Sequence, residues 1–249
     1  MRMPFIDLNV DLGEGGREDA TLIALASSAN IACGGHAGDE STMRAAIQLA
    51  LDAGVAVGAH PGYEDRKNFG RRALDLPSAE VTEMVARQLS RLMEIAGALG
   101  AEIHHVKPHG ALYLQAHRDA ALAEAVVAGV RKCRPGCAFY VPPGGELDKA
   151  GQSNGLRVIP EGFVDRRYGD HGDLLPRSQP GAIIEDLPTA IDQAIQIALH
   201  QRVMSVSGTF VLLPAATLCV HGDGIHATAT LRAVGTALEA AGISLRSPR

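Results

Sequence analysis

The chain has 249 residues, 46% hydrophobic and 20% charged, which supplies a sizeable core and excludes a disordered chain. Its formal charge is −5 and no long basic run appears, which argues against nucleic acid or an anionic membrane as the main partner. Aromatics make up 4% and tryptophan is absent, so stacking platforms for bases or sugars are sparse.

The first predicted strand covers 5–10; its apolar run is short and carries Asp7, unlike a secretory signal. A strand over 29–33 leads to a helix over 41–52, with Gly54 placed to cap it, and then a strand over 55–59. The stretch 80–99 puts Val81, Met84, Val85, Leu92, Met93 and Ala96 on one helical face, with Gly100 behind it. Strands over 103–107, 138–141 and 157–160 follow. The uncharged run 203–220 contains Ser205, Ser207, Gly208, Thr209 and Pro214, so it predicts a hairpin rather than a membrane helix. A strand over 217–220 and a helix over 225–241, capped by Gly242, complete the chain.

Alternating strands and helices imply parallel strands joined by crossover helices. About seven such units favour a closed α/β barrel, a (β/α)7-type TIM-like barrel forming one domain over 1–249. An open doubly wound sheet is the alternative, but its GxGxxG turn is missing; the first strand ends in Asp11-Leu12-Gly13-Glu14-Gly15-Gly16. Cys33, Cys133, Cys137 and Cys219 show no CxxC spacing and read as small core residues in a reduced, cytoplasmic setting.

Polar residues gather where the strands end. The first strand yields Asp7, Asn9, Asp11 and Glu14, and the second leads to His36 and Asp39. The third ends at His60, the fourth at His104, His105, Lys107 and His109, and later ones at Glu161, Asp165, Arg166, His221 and Asp223. In a parallel barrel all these ends open on one face, where active sites are built. Asp7, Asn9 and Asp11 alternate and share one side of their strand. Such a carboxylate cluster needs protons, cationic partners or a metal. Turn capping by Asp11 and simple charge neutralisation by Lys107 are the bland alternatives. His104 and His117 read as surface or packing residues, and 142–145 as a plain turn. Arg71 and Arg72 offer two guanidiniums suited to a phosphate or carboxylate, or a solvated charge pair.

The segments DLNVDLGEG, SANIACGGHAGD, GAHPGY, FGRR, HVKPHGALY, EGFVDRRY and CVHGD, in this order, together resemble the LamB/YcsF family. That family is the A component of bacterial ATP-dependent 5-oxoprolinase. The resemblance implies a barrel of the glycoside hydrolase/deacetylase type. It implies cleavage of 5-oxo-L-proline to L-glutamate, coupled to hydrolysis of ATP to ADP and phosphate, with subunits B and C as partners. ATP with Mg²⁺ is the implied cofactor. Family positions map onto Asp7, Asn9, Asp11, His36, His60, Lys107, His109, Glu161, Asp165, Arg166, His221 and Asp223. Gly35 stands where the family usually has an aromatic, which predicts a larger or looser pocket; 64–68 is more charged than usual, and Leu114 replaces the usual Asn.

On this basis Lys107, Arg166, Arg71 and Arg72 are expected to hold phosphate or carboxylate. Asp11 or Glu161 is expected as base, and His60 or His109 as acid. An alternative is a stand-alone metal-dependent deacetylase, with a transition metal on Asp7, Asp11, His36 and His60. A non-catalytic substrate-binding subunit is the other. Self-association is left open by the sequence.

Overall fold

The structure is a computed structural model that describes residues 4–16, 18–224 and 226–248. Strand β1 (Phe5–Leu12) is followed by α1 (Asp19–Ile23), β2 (Ser28–Ala32), α2 (Glu40–Ala53), β3 (Ala56–His60) and α3 (Ser78–Ala98). Next come β4 (His105–Val106), α4 (Gly110–Ala116), α5 (Ala120–Cys133), β5 (Ala138–Val141), α6 (Glu146–Ser153) and β6 (Arg157–Phe163). The chain ends with α7 (Leu187–His200), β7 (Arg202–Met204), β8 (Phe210–Leu212), β9 (Thr217–Val220), α8 (Ala227–Ala240) and β10 (Ser244–Leu245).

Strands β1 to β6 and β9 pair in parallel, and β9 pairs back onto β1, so seven strands close a barrel. The (β/α)7-type expectation is met. Strand β10 adds to the start of β1, and β7 and β8 form a separate antiparallel hairpin. No helix among the described residues is long and apolar enough to cross a membrane.

Period two in β1 sets the site. Leu8, Val10 and Leu12 are fully buried in the apolar core. Asp7, Asn9 and Asp11 point the other way, into the barrel, where they bond to residues of other strands. Helix α2 buries Met43, Ala46, Ile47 and Ala50. Asp39 caps it in a reciprocal box with Thr42, and Gly54 ends it in the left-handed region at φ 67°. Asp39 therefore works as a cap. Helix α3 buries the expected face, with Leu89 and Ile95 added, while Met93 is half-buried.

Element boundaries differ from expectation in physical ways. The fourth strand shrinks from five residues to His105–Val106, because Pro108 and the start of α4 leave the ladder early. The sixth runs on to Phe163, pairing Glu161, Gly162 and Phe163 with β9. The predicted hairpin over 203–220 is present as β7–β8, but its last residues belong to β9 in the barrel wall. Helix α8 begins at Ala227; Ile225, where a helix was expected to start, lies outside the described residues. The segment 142–145 is a turn, tied by the Gly144 N–H donating to Asp148.

The barrel interior near the N-terminal ends is polar yet satisfied. Asp7 accepts from Ser27 (2.6 Å), Thr217 (2.6 Å) and Ser28. Burial raises its pKa against those hydrogen bonds. The His105 ring stacks on Tyr140 at 4.0 Å and bonds Asn30 at 2.8 Å. Gly58 on β3 lets that ring sit there, since a Cβ would overlap the imidazole. Gly58→Ala is expected to cost about 1–3 kcal/mol through overpacking. That lowers the melting temperature by roughly 2–4 °C per kcal/mol in a chain of this size. An unchanged melting curve would show that the His105 ring is not locked.

Candidate active site

The C-terminal ends of the strands surround a cavity of about 660 Å³, with Asp11, His60 and Lys107 in its lining. Lys107 leaves β4 just before Pro108 and is 2% exposed. Its Nζ lies 3.1 Å from Asp11 Oδ1 and 3.0 Å from Glu161 Oε1, and donates to Asn9 Oδ1 (3.3 Å) and Cys219 Sγ (3.0 Å). Burial works against this charge, yet Asp11, Cys219 and Glu161 together hold the Lys107 pKa well above its ordinary value. Burial likewise opposes the Asp11 carboxylate, but Lys107 and then His60 hold it well below the usual range. Glu161 has both oxygens engaged: Oε1 accepts from Asn9 (2.9 Å) and Oε2 from Tyr113 (2.7 Å). Asn30 ties the strands together by donating to Asn9 Oδ1 (2.7 Å) and Asp11 Oδ1 (2.8 Å). Asp11 Oδ2 faces His60 Nε2 at 3.6 Å.

Beside this network lie His36, His60, His109 and Glu14. The His36 and His109 rings stack at 3.6 Å, and His60 stands edge-on to both. Gly70 makes room for the stack: its φ is +62°, and a Cβ there would lie 2.7 Å from His36 Cβ. His60 Nδ1 contacts the Lys107 carbonyl at 2.7 Å, and His109 Nε2 the Phe69 carbonyl at 2.9 Å. A carbonyl only accepts, so both nitrogens carry protons. His60 Nε2 and His109 Nδ1 then face each other at 2.9 Å. Burial pushes His36 down to about 2 and His109 well below the usual histidine range. Glu14 Oε1 sits 3.0 Å from His36 Nε2. Burial and the Asp11 charge push the Glu14 carboxyl up.

Guanidiniums form one wall. Arg71 pairs with Asp223 at 2.6 Å, and Arg177 approaches the same carboxylate at 3.8 Å. Arg166 is 3% exposed; it bonds the Leu175 carbonyl, while its buried Nε has no partner. Burial and the neighbouring Arg177 charge lower its pKa to about 10. Asp165 holds His221 twice, through the backbone N–H (3.0 Å) and Nδ1 (2.9 Å). Burial opposes its charge, but His221 keeps the Asp165 pKa below the ordinary 3.8. A depressed carboxyl stabilises the fold above its unfolded pKa and loses that contribution as pH falls through the folded one. Asp165→Asn is therefore expected to flatten the dependence of stability on pH below the ordinary carboxyl value. Urea melts across acid pH measure it; an unaltered slope would remove the pair from the acid response.

A family model described as the LamB/YcsF family matches residues 6–249. The chain belongs to the LamB/YcsF family. A lactam utilization protein from Thermus thermophilus is 41% identical, with a TM-score of 0.92, covering 98% of this chain and 100% of that one. The T48 deacetylase shares the barrel at 12% identity and a TM-score of 0.52, over 98% of this chain and 87% of that one.

Within this LamB/YcsF chain, Asn9, Asp11, Lys107 and Glu161 converge in one network, and His36, His60 and His109 in the adjoining cluster. Asp165, Arg166, His221 and Asp223 stand on the rim side. Asp7 lies four residues below Asp11, about 13 Å along the strand, bonded to Ser27, Ser28 and Thr217. It is therefore not a metal ligand alongside His36 and His60, and Asp11 is committed to Lys107 through Oδ1. Glu161 accepts at both oxygens, from Asn9 and Tyr113. Arg72 is exposed and absent from the cavity lining, whereas Arg71 is part of it. Gly35 does not enlarge the pocket, because Gln88 fills that space and clamps the Gly62 backbone at 2.7 and 3.1 Å. Asp65 caps a short 3-10 turn, Arg66–Asn68, and Arg66 bonds the Gly38 carbonyl, so the charged loop is structural.

Asn30, Tyr113, Arg118 and Arg177 were not singled out from the sequence as site residues. Asn30 sits mid-strand and Tyr113 inside a helix, so only the closed barrel brings them to Asp11 and Glu161. Arg118 and Arg177 line the cavity from segments with no motif of their own. Cys219, read as plain core, touches the Lys107 ammonium.

Proposed function

We propose that this chain is the lactam-cleaving A component of an ATP-dependent 5-oxoprolinase, converting 5-oxo-L-proline to L-glutamate together with subunits B and C. Membership of the LamB/YcsF family and the 41% identity to a lactam utilization protein support an amide-ring substrate. The observation that carries the reading is a buried ammonium, Lys107, fixed between Asp11 and Glu161 in a cavity whose wall holds the partly unpaired Arg166. 5-Oxoproline is a five-membered lactam with a carboxylate, so it needs a cationic anchor and a cation for developing oxygen charge.

An unstrained lactam is a poor electrophile. In the proposed reaction the γ-phosphoryl of ATP, which carries its own Mg²⁺, passes to the amide oxygen and ADP leaves. Water adds to the ring carbon, the carbon–nitrogen bond breaks with a proton to nitrogen, and γ-glutamyl phosphate forms. A second water releases phosphate and glutamate. Lys107 stabilises negative charge on the reacting oxygens. Asp11 Oδ2, the oxygen not held by Lys107 or Asn30, accepts the proton of the attacking water. Arg166 and Arg177 clamp the substrate carboxylate or the phosphoryl group, the geometry guanidinium suits best. Glu161 and Tyr113 position Lys107.

The test is glutamate release from 5-oxoproline by this chain alone and mixed with B and C, with and without ATP. Activity confined to the complete mixture with ATP supports the proposal. No activity with B and C that work beside another A component overturns it. ATP-independent amide cleavage by the chain alone would favour a stand-alone metal-dependent amidohydrolase, a reading that the histidine cluster beside Asp11 also suits.

A further inference from the structure

We propose that Glu14, His36, His60 and His109 form a binding site for a single divalent transition-metal ion with zinc-like preferences. One donor atom from each of the four residues lies within 4.8 Å of the others. Four-coordinate zinc with bonds of about 2.0–2.1 Å sets its donors about 3.3 Å apart. Here His60 Nε2 and His109 Nδ1 are 2.9 Å apart, and Glu14 Oε1 is 3.0, 3.5 and 3.9 Å from the His36, His109 and His60 nitrogens.

Hydrogen bonding makes this a cation site. The Lys107 and Phe69 carbonyls take the protons of His60 Nδ1 and His109 Nε2. That is the outer-shell support that fixes the tautomer of a metal-binding imidazole. The two remaining nitrogens, His60 Nε2 and His109 Nδ1, therefore face each other across 2.9 Å, where both can turn lone pairs on one cation. His36 adds an unresolved group: its buried Nδ1 has no partner. With its proton on Nε2, Nδ1 is a stranded acceptor; with its proton on Nδ1, Nε2 offers a lone pair toward Glu14 and the other imidazoles. A dication bound at His36 Nε2, His60 Nε2, His109 Nδ1 and Glu14 Oε1 would take up the three nitrogens and the carboxyl oxygen that converge there. Among the described residues no Lys or Arg nitrogen lies within 4 Å of Glu14, although its side chain is 8% exposed. Lys107 is engaged by Asp11 and Glu161, and Arg71 by Asp223.

Three imidazoles and one carboxylate suit zinc, cobalt or another first-row ion, not Mg²⁺ or Ca²⁺, which take oxygen ligands. His60 and His109 also line the cavity, so the ion would adjoin the substrate space. The inference does not depend on the 5-oxoprolinase reading, because its readout is metal binding and not turnover.

The experiment strips the purified full-length chain with chelator, dialyses it against Zn²⁺ or Co²⁺, and measures bound metal and melting temperature. One ion per chain, a Co²⁺ absorption spectrum of four-coordinate type and a higher melting temperature than the stripped chain are expected. Glu14→Gln and His36→Gln should each weaken metal affinity at least about 100-fold, on the scale of lost ligand support. His104→Gln and His117→Gln, outside the cluster, should bind as the unaltered chain does. Should either cluster variant fail to fold, proton NMR of the unaltered Co²⁺-loaded chain replaces it, with shifted N–H signals from three imidazoles expected. Metal bound far below one per chain, or undiminished affinity in both folded cluster variants, or a cobalt spectrum of six-coordinate aquo type, overturns the proposal.

Discussion

Replacing Lys107 by methionine is expected to lower lactam cleavage about 10²–10³-fold, the scale for removing a group that stabilises developing charge. The same change is expected to cost about 3–5 kcal/mol of stability, because it strands a buried charge partner. Methionine roughly keeps the volume, so packing is not the cause. Asp11 and Glu161, 5% and 1% exposed, lose the ammonium that sits about 3 Å from each. Asn9, Asn30 and Tyr113 still donate to them, but no cation remains inside the network. The double variant Lys107→Met with Glu161→Gln separates the two effects. It removes one stranded carboxylate, so stability should partly return while activity stays lost. Denaturant melts and glutamate release with the partner subunits measure both. A stable single variant working at the original rate would sink the role of Lys107.

Asp11→Asn is expected to lower the rate about 10²–10⁴-fold, the range for losing a general base. The geometry should survive. The amide oxygen of Asn replaces Oδ1 and still accepts from Lys107 and Asn30, at 3.1 and 2.8 Å in the parent chain. What changes is the other atom, which becomes an NH₂ where Oδ2 faces His60. The side chain then accepts no proton there. Stability should fall by about 1.5–3 kcal/mol, as for a hydrogen bond to a charged group made neutral. A folded Asp11→Asn chain that sustains full turnover in the complete mixture would favour the non-catalytic binding role. A parallel measurement of substrate affinity makes the comparison sharper, since loss of rate with affinity kept points to chemistry.

Much of this architecture is legible in the sequence because it rests on local rules. The alternation in FIDLNVDL gives a strand with Leu8 and Val10 on one face and Asp7, Asn9 and Asp11 on the other. The Asp39–Thr42 box and Gly54 bracket α2 by chemistry written within a few residues. Repeated strand–helix units imply parallel strands, and parallel barrels open their C-terminal ends on one face. From that alone, His60, Lys107 and Glu161 belong near one another.

The sequence did not determine what each polar group touches, because such contacts are sums of strand register, barrel closure and crossover geometry. Asp7 and Asp11 look alike in a period-two pattern. Closure gives Asp7 three hydroxyl donors and gives Asp11 the ammonium of Lys107, 96 positions away along the chain. The gap at Gly35 reads as missing bulk until α3 brings Gln88 into it. Glu14, on a loop beyond β1, meets His36, His60 and His109 only after three different strand ends converge. Local sequence therefore settles which side chains face the barrel mouth, since that is a matter of period and chain direction. Tertiary structure alone decides which carboxylate meets the ammonium, which are satisfied by hydroxyls and which is left among imidazoles, because burial makes each such pairing a matter of a few tenths of a nanometre.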